Sequence, residues 1–362
     1  MEAKLRFFNV DVVLRIDVAE VVASFLLLYQ NFQIERDENL HEPHLNFRIV
    51  TQADPPYMLV NGLREPLPDD AMLPSYLYNR ITTALFNAVQ THLLFHAGVV
   101  SWGETGIMIV ADSFYGKTTL SMRLIREGFQ LLSDETAAIC LADGWVDPCF
   151  RNLNVRRGTA QLSRHEQLHA LSVDADGREI VAIKRLQAGC LGKRVPINHI
   201  FVLEDRDRPK DQSELIVTLS TLPDSLRVGL RSMVLVEAIR VVQLANAVCL
   251  QIVTKQRSQV FECLDALCRQ MGIFILDVQM GVAHRPNFRS PVSLTPINIH
   301  QAAQALLSNF QGGYQSRLLE GGAAQFYFTL CQQIANANCY ALQVGSLEDM
   351  VTEVRRTVCC CQ

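Results

Sequence analysis

The sequence predicts an α/β fold, on three observations. An apolar run, a glycine-containing loop and an amphipathic run follow one another at residues 107–127, the order strand, loop, helix. Helix-then-strand patterns recur further on, at Phe261–Val278 and Leu330–Val344. The 362 residues are 49% hydrophobic and 19% charged, with mean hydropathy +0.12, enough apolar material for two or three domains with a sizeable core.

Residues 1–90 read as a small α+β unit for recognition or scaffolding. Leu5–Ile16 is rich in β-branched residues and suggests a strand or two. Val18–Tyr29 is apolar without a decisive period. Leu45–Val50 and Tyr57–Val60 read as strands separated by the Asp54-Pro-Pro turn, and Leu77–His92 as a helix.

Residues 91–284 hold the informative block. Leu94–Val100 and Gly106–Val110 are two strands joined by a hairpin-like turn. Thr118–Glu127 is a helix stopped by Gly128. Phe129–Ser133 and Thr136–Leu141 are strands on either side of Asp134-Glu135. The charged stretch 156–195 reads as an exposed excursion. Ile197–Glu204 is a strand, 232–248 an amphipathic helix, and Phe261–Met271 a helix leading into a strand. Residues 285–362 read as a C-terminal helical extension.

Net charge is -4 and the isoelectric point about 6.1, which leaves no basic field for nucleic acid. Val18–Tyr29 is too short to span a bilayer and is broken by Glu20 and Ser24, so no membrane association is expected. The start Met-Glu-Ala-Lys lacks a signal peptide's basic, apolar and small-residue regions, which implies a cytoplasmic protein. Eleven cysteines with no C-x-x-C pair fit reduced thiols in that setting, with Cys359-Cys360-Cys361 as an unassigned tail.

The chemistry concentrates in Ala111-Asp-Ser-Phe-Tyr-Gly-Lys-Thr-Thr119. A polyphosphate needs inward backbone N–H groups and a cation. A turn at a helix N-terminus supplies the first, and Lys117 the second. Thr118 has the hydroxyl position for Mg²⁺. Ser113, Phe114, Tyr115, Gly116, Lys117, Thr118 and Thr119 are therefore the candidate phosphate cradle. Asp134 and Glu135 lie at a strand end, Asp134 seventeen residues after Lys117. One carboxylate suits metal ligation, with Thr118, and the other proton abstraction from a hydroxyl.

With His96-Ala-Gly upstream, this stretch resembles the HPr kinase/phosphorylase family and its relatives. That family reads His-Gly, a strand, Gly-Glu-Ser-Gly-x-Gly-Lys-Ser, a helix ending at Gly, then Asp-Asp. Pro148-Cys-Phe-Arg-Asn-Leu-Asn-Val-Arg156 resembles a Pro-Phe-Pro segment common among the relatives. The chain departs from the pattern at Ala111, Phe114 and Glu135. The resemblance implies a fold like the C-terminal domain of HPr kinase, related to phosphoenolpyruvate carboxykinase, behind the small α+β N-terminal domain.

It also implies a phosphotransferase using ATP and Mg²⁺ as cofactors and acting on a hydroxyl. His96 would then assist near the γ-phosphate, Asp134 and Glu135 would share metal and proton duties, and Arg156 would contact phosphate or acceptor. The expected acceptor is a peptide or protein, such as a natural-product precursor peptide, and a homo-oligomer is expected from the family's tendency. Two alternatives stay open: a non-catalytic nucleotide-binding regulatory subunit, and a kinase of a small metabolite such as free serine.

Overall fold

The computed structural model describes residues 1–35, 43–68, 72–112, 114–156, 158–163, 170–173, 178–206, 213–244, 247–254, 257–280, 286–311 and 314–359. It is a mixed α/β protein, and the described residues form four sheets. The sheet that positions the site has eight strands. Its middle is the hairpin His92–Trp102 and Thr105–Val110, followed in parallel by Val195–Glu204 and Asn338–Gln343. Gln130–Ser133 and Thr136–Cys140 both pair with His92–Trp102, and Trp145–Asp147 pairs with Thr136–Cys140.

Both faces of this sheet are covered, as its unbroken apolar strands require. Ile107 and Ile109 face the helix Lys117–Arg126 and the C-terminal helix Leu347–Cys359. Met108 and Val110 face the helices Ile299–Leu307 and Tyr314–Gln333. The period-two alternation of the strand thus sorts its side chains into two cores. Arg123, buried in the first helix, reaches Glu348 at 3.1 Å, and Arg355 reaches Glu127 at 2.6 Å, tying the C-terminal helix to the helix that follows the loop.

Residues 285–362, expected as a helical extension, contribute the strands Leu294–Pro296 and Asn338–Gln343 to this central sheet. Strands of the expected 91–284 region and of the expected extension therefore share one hydrogen-bonded sheet. The parallel Val195–Glu204 strand needs a neighbour on its far edge, and the apolar Tyr340-Ala-Leu run fills that place.

The N-terminal sheet has five strands, with Glu2–Phe7 and Val10–Ile16 as a hairpin and Val10–Ile16 parallel to Leu45–Val50. Its inner face packs on Phe25, Tyr29 and the helix Leu73–Ala88. Val18–Tyr29 resolves into a 3-10 turn and the short helix Ala23–Leu28.

Residues 213–280 form a separate antiparallel sheet. Its strands Ser213–Leu219, Val236–Gln243, Val248–Thr254 and Ile275–Met280 alternate with the helices Asp224–Ser232 and Arg257–Met271 in a split βαβ arrangement. The amphipathic helix expected at 232–248 is corrected by this sheet. The run Val236-Glu-Ala-Ile-Arg-Val-Val-Gln pairs along Val248–Thr254, and its β-branched residues favour the ladder over the helix. The expected excursion at 156–195 contains part of a small three-stranded sheet, Leu153–Val155, Glu179–Val181 and Ser172–Val173. Among the described residues no helix is long and apolar enough to cross a membrane.

Candidate active site

The site is built where the hairpin, the loop helix and the acid pair meet. Gly116 caps the helix Lys117–Arg126 with φ +83°, a left-handed conformation open to glycine at little cost. Two residues earlier Phe114 takes φ +72°, at the position where the resembled family carries glycine. The left-handed step is kept without the glycine, and the ring is held by the Arg156 guanidinium at 3.7 Å from its centroid. Ala111, buried at the end of the strand, is not among the residues with positive φ, so the missing first glycine imposes no backbone strain there.

Lys117 crosses back over the strand His92–Trp102, where Gly98 makes room. A Cβ on Gly98 would lie 2.7 Å from Ser121 Oγ and 3.4 Å from Lys117 Cγ. The Lys117 ammonium donates to the His96 carbonyl at 3.3 Å and forms no ion pair among the described residues. Burial pushes its pKa down to about 8, against the partial support of Glu135, Asp134 and Asp112. A buried cation so poorly compensated at a helix N-terminus is chemistry that fits a phosphate.

Asp134 and Glu135 follow the strand Gln130–Ser133 and have been driven in opposite directions. Burial, then the charge of Glu135, raises Asp134 well above the ordinary carboxylate range. Burial acts to raise Glu135 as well, but the Arg151 charge, with a smaller contribution from Lys117, outweighs it and holds Glu135 below that range. Arg151 is the main cause. Its guanidinium, 4% exposed, forms an ion pair with Glu135 Oε2, donates to Tyr78 Oη at 2.9 Å and lies over the Tyr29 ring at 5.5 Å.

The N-terminal unit therefore takes part in the electrostatics of the site. It also fixes the segment that carries Arg151: Asn31 Nδ2 donates to the Phe150 carbonyl at 2.9 Å, and Asn152 Nδ2 to that of Leu27 at 2.8 Å.

His96 faces the same space, with Nδ1 4.0 Å from Glu135 Oε1. Its ring is oriented by Gln311. The Thr136 hydroxyl donates to Gln311 Oε1 at 3.2 Å, so the amide NH₂ of Gln311 turns to His96 Nδ1, at 3.2 Å. Burial first, and the Lys117 charge second, press the imidazole pKa down to about 3. The ring is thus neutral at pH 7, with its proton on Nε2 and free to donate there.

Lys117, His96, Asp134 and Glu135 are brought together. Thr118 and Thr119 lie half-buried on the first turn of the loop helix, and Tyr115 is buried beneath the loop. Ser113 lies outside the described residues. Arg156 is exposed and stacks on Phe114.

Sequence reasoning passed over Arg151, five residues before the arginine it favoured, and Gln311, far along the chain. No local pattern marks either one. Two further residues reach the loop. Arg257, first in its helix of the split βαβ sheet, is 3.5 Å from Asp112. The Phe288 ring lies against Gly116, 3.4 Å from where a Cβ would stand. The paired acids beside a poorly compensated lysine and a threonine hydroxyl are an oxygen donor set suited to Mg²⁺.

No family model matches the chain. Among solved structures it is similar to the HPr(Ser) kinase/phosphatase from Coxiella burnetii, with 14% identity over 49% of this chain and 95% of that one, at a TM-score of 0.21. A likeness that loose carries no functional weight.

Proposed function

We propose that the protein is a kinase of the HPr-kinase-like type that transfers the γ-phosphoryl group of ATP to a hydroxyl of a peptide or protein. The observation that supports this best is geometric: Lys117, His96 and the two acids meet at the start of the loop helix, with Arg151 paired to Glu135. The Arg151 ion pair favours the ionised form of Glu135, and burial raises the proton affinity of Asp134, so the two acids suit the two duties such a reaction needs.

Magnesium-ATP, when bound, supplies the phosphoryl group and the charge that organises its oxygens. Thr118 and Glu135 would hold the metal. Lys117 and the N–H groups from Gly116 onward would hold the phosphates. Asp134, with the higher proton affinity, would take the acceptor hydroxyl's proton. His96 would donate from Nε2 to a phosphate oxygen. A macromolecular acceptor fits the way two appended units reach the site, the N-terminal helix through Tyr78 and the split βαβ sheet through Arg257.

The test is to incubate the protein with magnesium-ATP and a panel of hydroxyl acceptors, including peptides and free serine, and to measure ADP and phosphorylated product. Acceptor-dependent product that is lost in Lys117→Ala is expected. Nucleotide binding with no turnover on any acceptor would favour a regulatory nucleotide-binding subunit instead.

A further inference from the structure

At the start of the strand that carries His96, a second group of reactive side chains gathers. His92 is the register partner of Cys140 on the adjacent strand. Asp147, on the next strand, pairs with Ala138, which lies on the same face as Cys140, so Asp147 and Cys140 are diagonal neighbours. A ring nitrogen of His92, the Cys140 sulfur and a carboxylate oxygen of Asp147 all lie within 4.8 Å of one another. His92 Nε2 is 2.9 Å from Asp147 Oδ2, and the His92 side chain is 9% exposed, with the Phe8 ring against it at 4.3 Å.

The surroundings fix which nitrogen faces this cluster. Asn9 Oδ1 accepts from the Gln90 N–H at 3.3 Å and from the Thr91 hydroxyl at 3.0 Å. With its one proton given to Asn9, Thr91 Oγ1 can only accept from His92 Nδ1, 2.8 Å away. The proton of a neutral His92 is therefore on Nδ1, and Nε2 turns a lone pair towards the Asp147 carboxylate. Two lone pairs at that distance repel, so a positive species belongs between them. A proton would serve an ordinary His–Asp pair. A metal ion also recruits the thiol on the same face, whose alternative partner is the Asp143 carboxylate.

We propose that His92 Nε2, the Cys140 thiolate and Asp147 Oδ2 form a Zn²⁺ site, with a water in the fourth position. Mixed nitrogen, sulfur and oxygen donors suit zinc and exclude the hard cations Mg²⁺ and Ca²⁺, which take oxygen. Tetrahedral zinc places such donors about 3.3–3.7 Å apart, within side-chain adjustments of about 1 Å. The outer contacts are of the usual kind. Thr91 accepts from the other ring nitrogen, and Arg194 Nε holds Asp147 Oδ1 at 3.0 Å, leaving Oδ2 for the ion. The Arg194 charge lowers the affinity without occupying the ligand. Binding releases the Cys140 thiol proton, and any proton on Nε2, to solvent. The ion joins three adjacent strands about 13 Å along the strand from His96. It is independent of the nucleotide reading.

The experiment uses the full chain, stripped with a chelator and titrated with Zn²⁺ against a chromophoric chelator, then with Co²⁺ followed by absorption. A Glu135→Gln background removes metal uptake at the phosphate loop. The expected results are one equivalent of Zn²⁺ per chain and a thiolate-to-cobalt charge-transfer band. Cys140→Ser abolishes the band, His92→Gln weakens Zn²⁺ by at least about tenfold, and Thr91→Ala weakens it by roughly tenfold. As a readout that needs no variant at the site, Zn²⁺ protects Cys140 from alkylation, mapped by mass spectrometry across the eleven cysteines. The absence of a band, a band that survives Cys140→Ser, or unchanged alkylation of Cys140 with Zn²⁺ bound would each overturn the site.

Discussion

Arg151 is the residue whose removal should disturb the site most, and the size of the effect follows from its surroundings. Replacing it with methionine keeps much of the volume but leaves Glu135 without its ion-pair partner and Tyr78 Oη without its donor. Breaking a buried pair costs about 3–5 kcal/mol. The Glu135 side chain keeps 31% of its exposure, so water recovers part of that, and about 2–4 kcal/mol remains. With an unfolding entropy of about 2.1 cal/mol/K per residue over 362 residues, each kcal/mol shifts the melting temperature by roughly 1.3 °C, a fall of about 3–5 °C.

Glu135→Gln alone should also destabilise, because it strands a buried guanidinium. The double variant should lose less than the sum of the two, by about 1.5 kcal/mol or more. The assay is denaturant unfolding of the four proteins with identical probes. Additivity within about 0.5 kcal/mol would refute the claim that Arg151 is what holds Glu135 ionised.

Three further outcomes are expected. Asp134→Asn should lower phosphoryl transfer by roughly 10²–10⁴-fold while magnesium-ATP still binds, and the wild-type rate should fall as pH drops through an apparent pKa above the ordinary carboxylate value, since the ionised form is the base. A pH profile flat down to about 4 would contradict that role. Gly98→Ala should cost about 1–3 kcal/mol by driving a Cβ into Ser121 Oγ, and Ser121→Ala should recover part of the loss; no recovery would mean the close approach is not the cause. Restoring glycines should divide by backbone angle: Ala111→Gly lowers stability by about 0.5–1 kcal/mol, whereas Phe114→Gly changes it by less than about 1 kcal/mol, because relief of the left-handed φ offsets the lost Arg156 stacking. Denaturant midpoints separate the two, and a stabilising Ala111→Gly would contradict the angles.

The loop, its helix and the spacing to Asp134 were legible because they are local: a glycine cap, a lysine and an acid pair joined by one helix and one strand. What escaped was carried by distant segments. Arg151 is placed by two bonds that link its segment to the N-terminal unit, Asn31 to the Phe150 carbonyl and Asn152 to the Leu27 carbonyl, and Gln311 arrives from more than two hundred residues away. Neither leaves a periodic trace. The run at 236–243 carries apolar residues compatible with a helical face, and only its pairing with Val248–Thr254 decides for a strand. The last strand, Asn338–Gln343, lies in what read as a helical extension, and only its parallel pairing with Val195–Glu204 places it in the central sheet. Tyr29 and Tyr78 could not be seen as site residues, because ordinary core tyrosines look the same in a sequence.

Calorimetric binding of magnesium-ATP at pH 8, in buffers of differing ionisation enthalpy, bears most directly on the kinase reading. Lys117, with its pKa pressed to about 8, is only half charged before binding. A triphosphate against it should draw in about half a proton per chain and lose affinity as pH rises further. Lys117→Met should remove that uptake and weaken binding by roughly 10–100-fold. Failure of the wild type to bind, or binding with the same affinity and proton uptake in Lys117→Met, would contradict a nucleotide site at this loop.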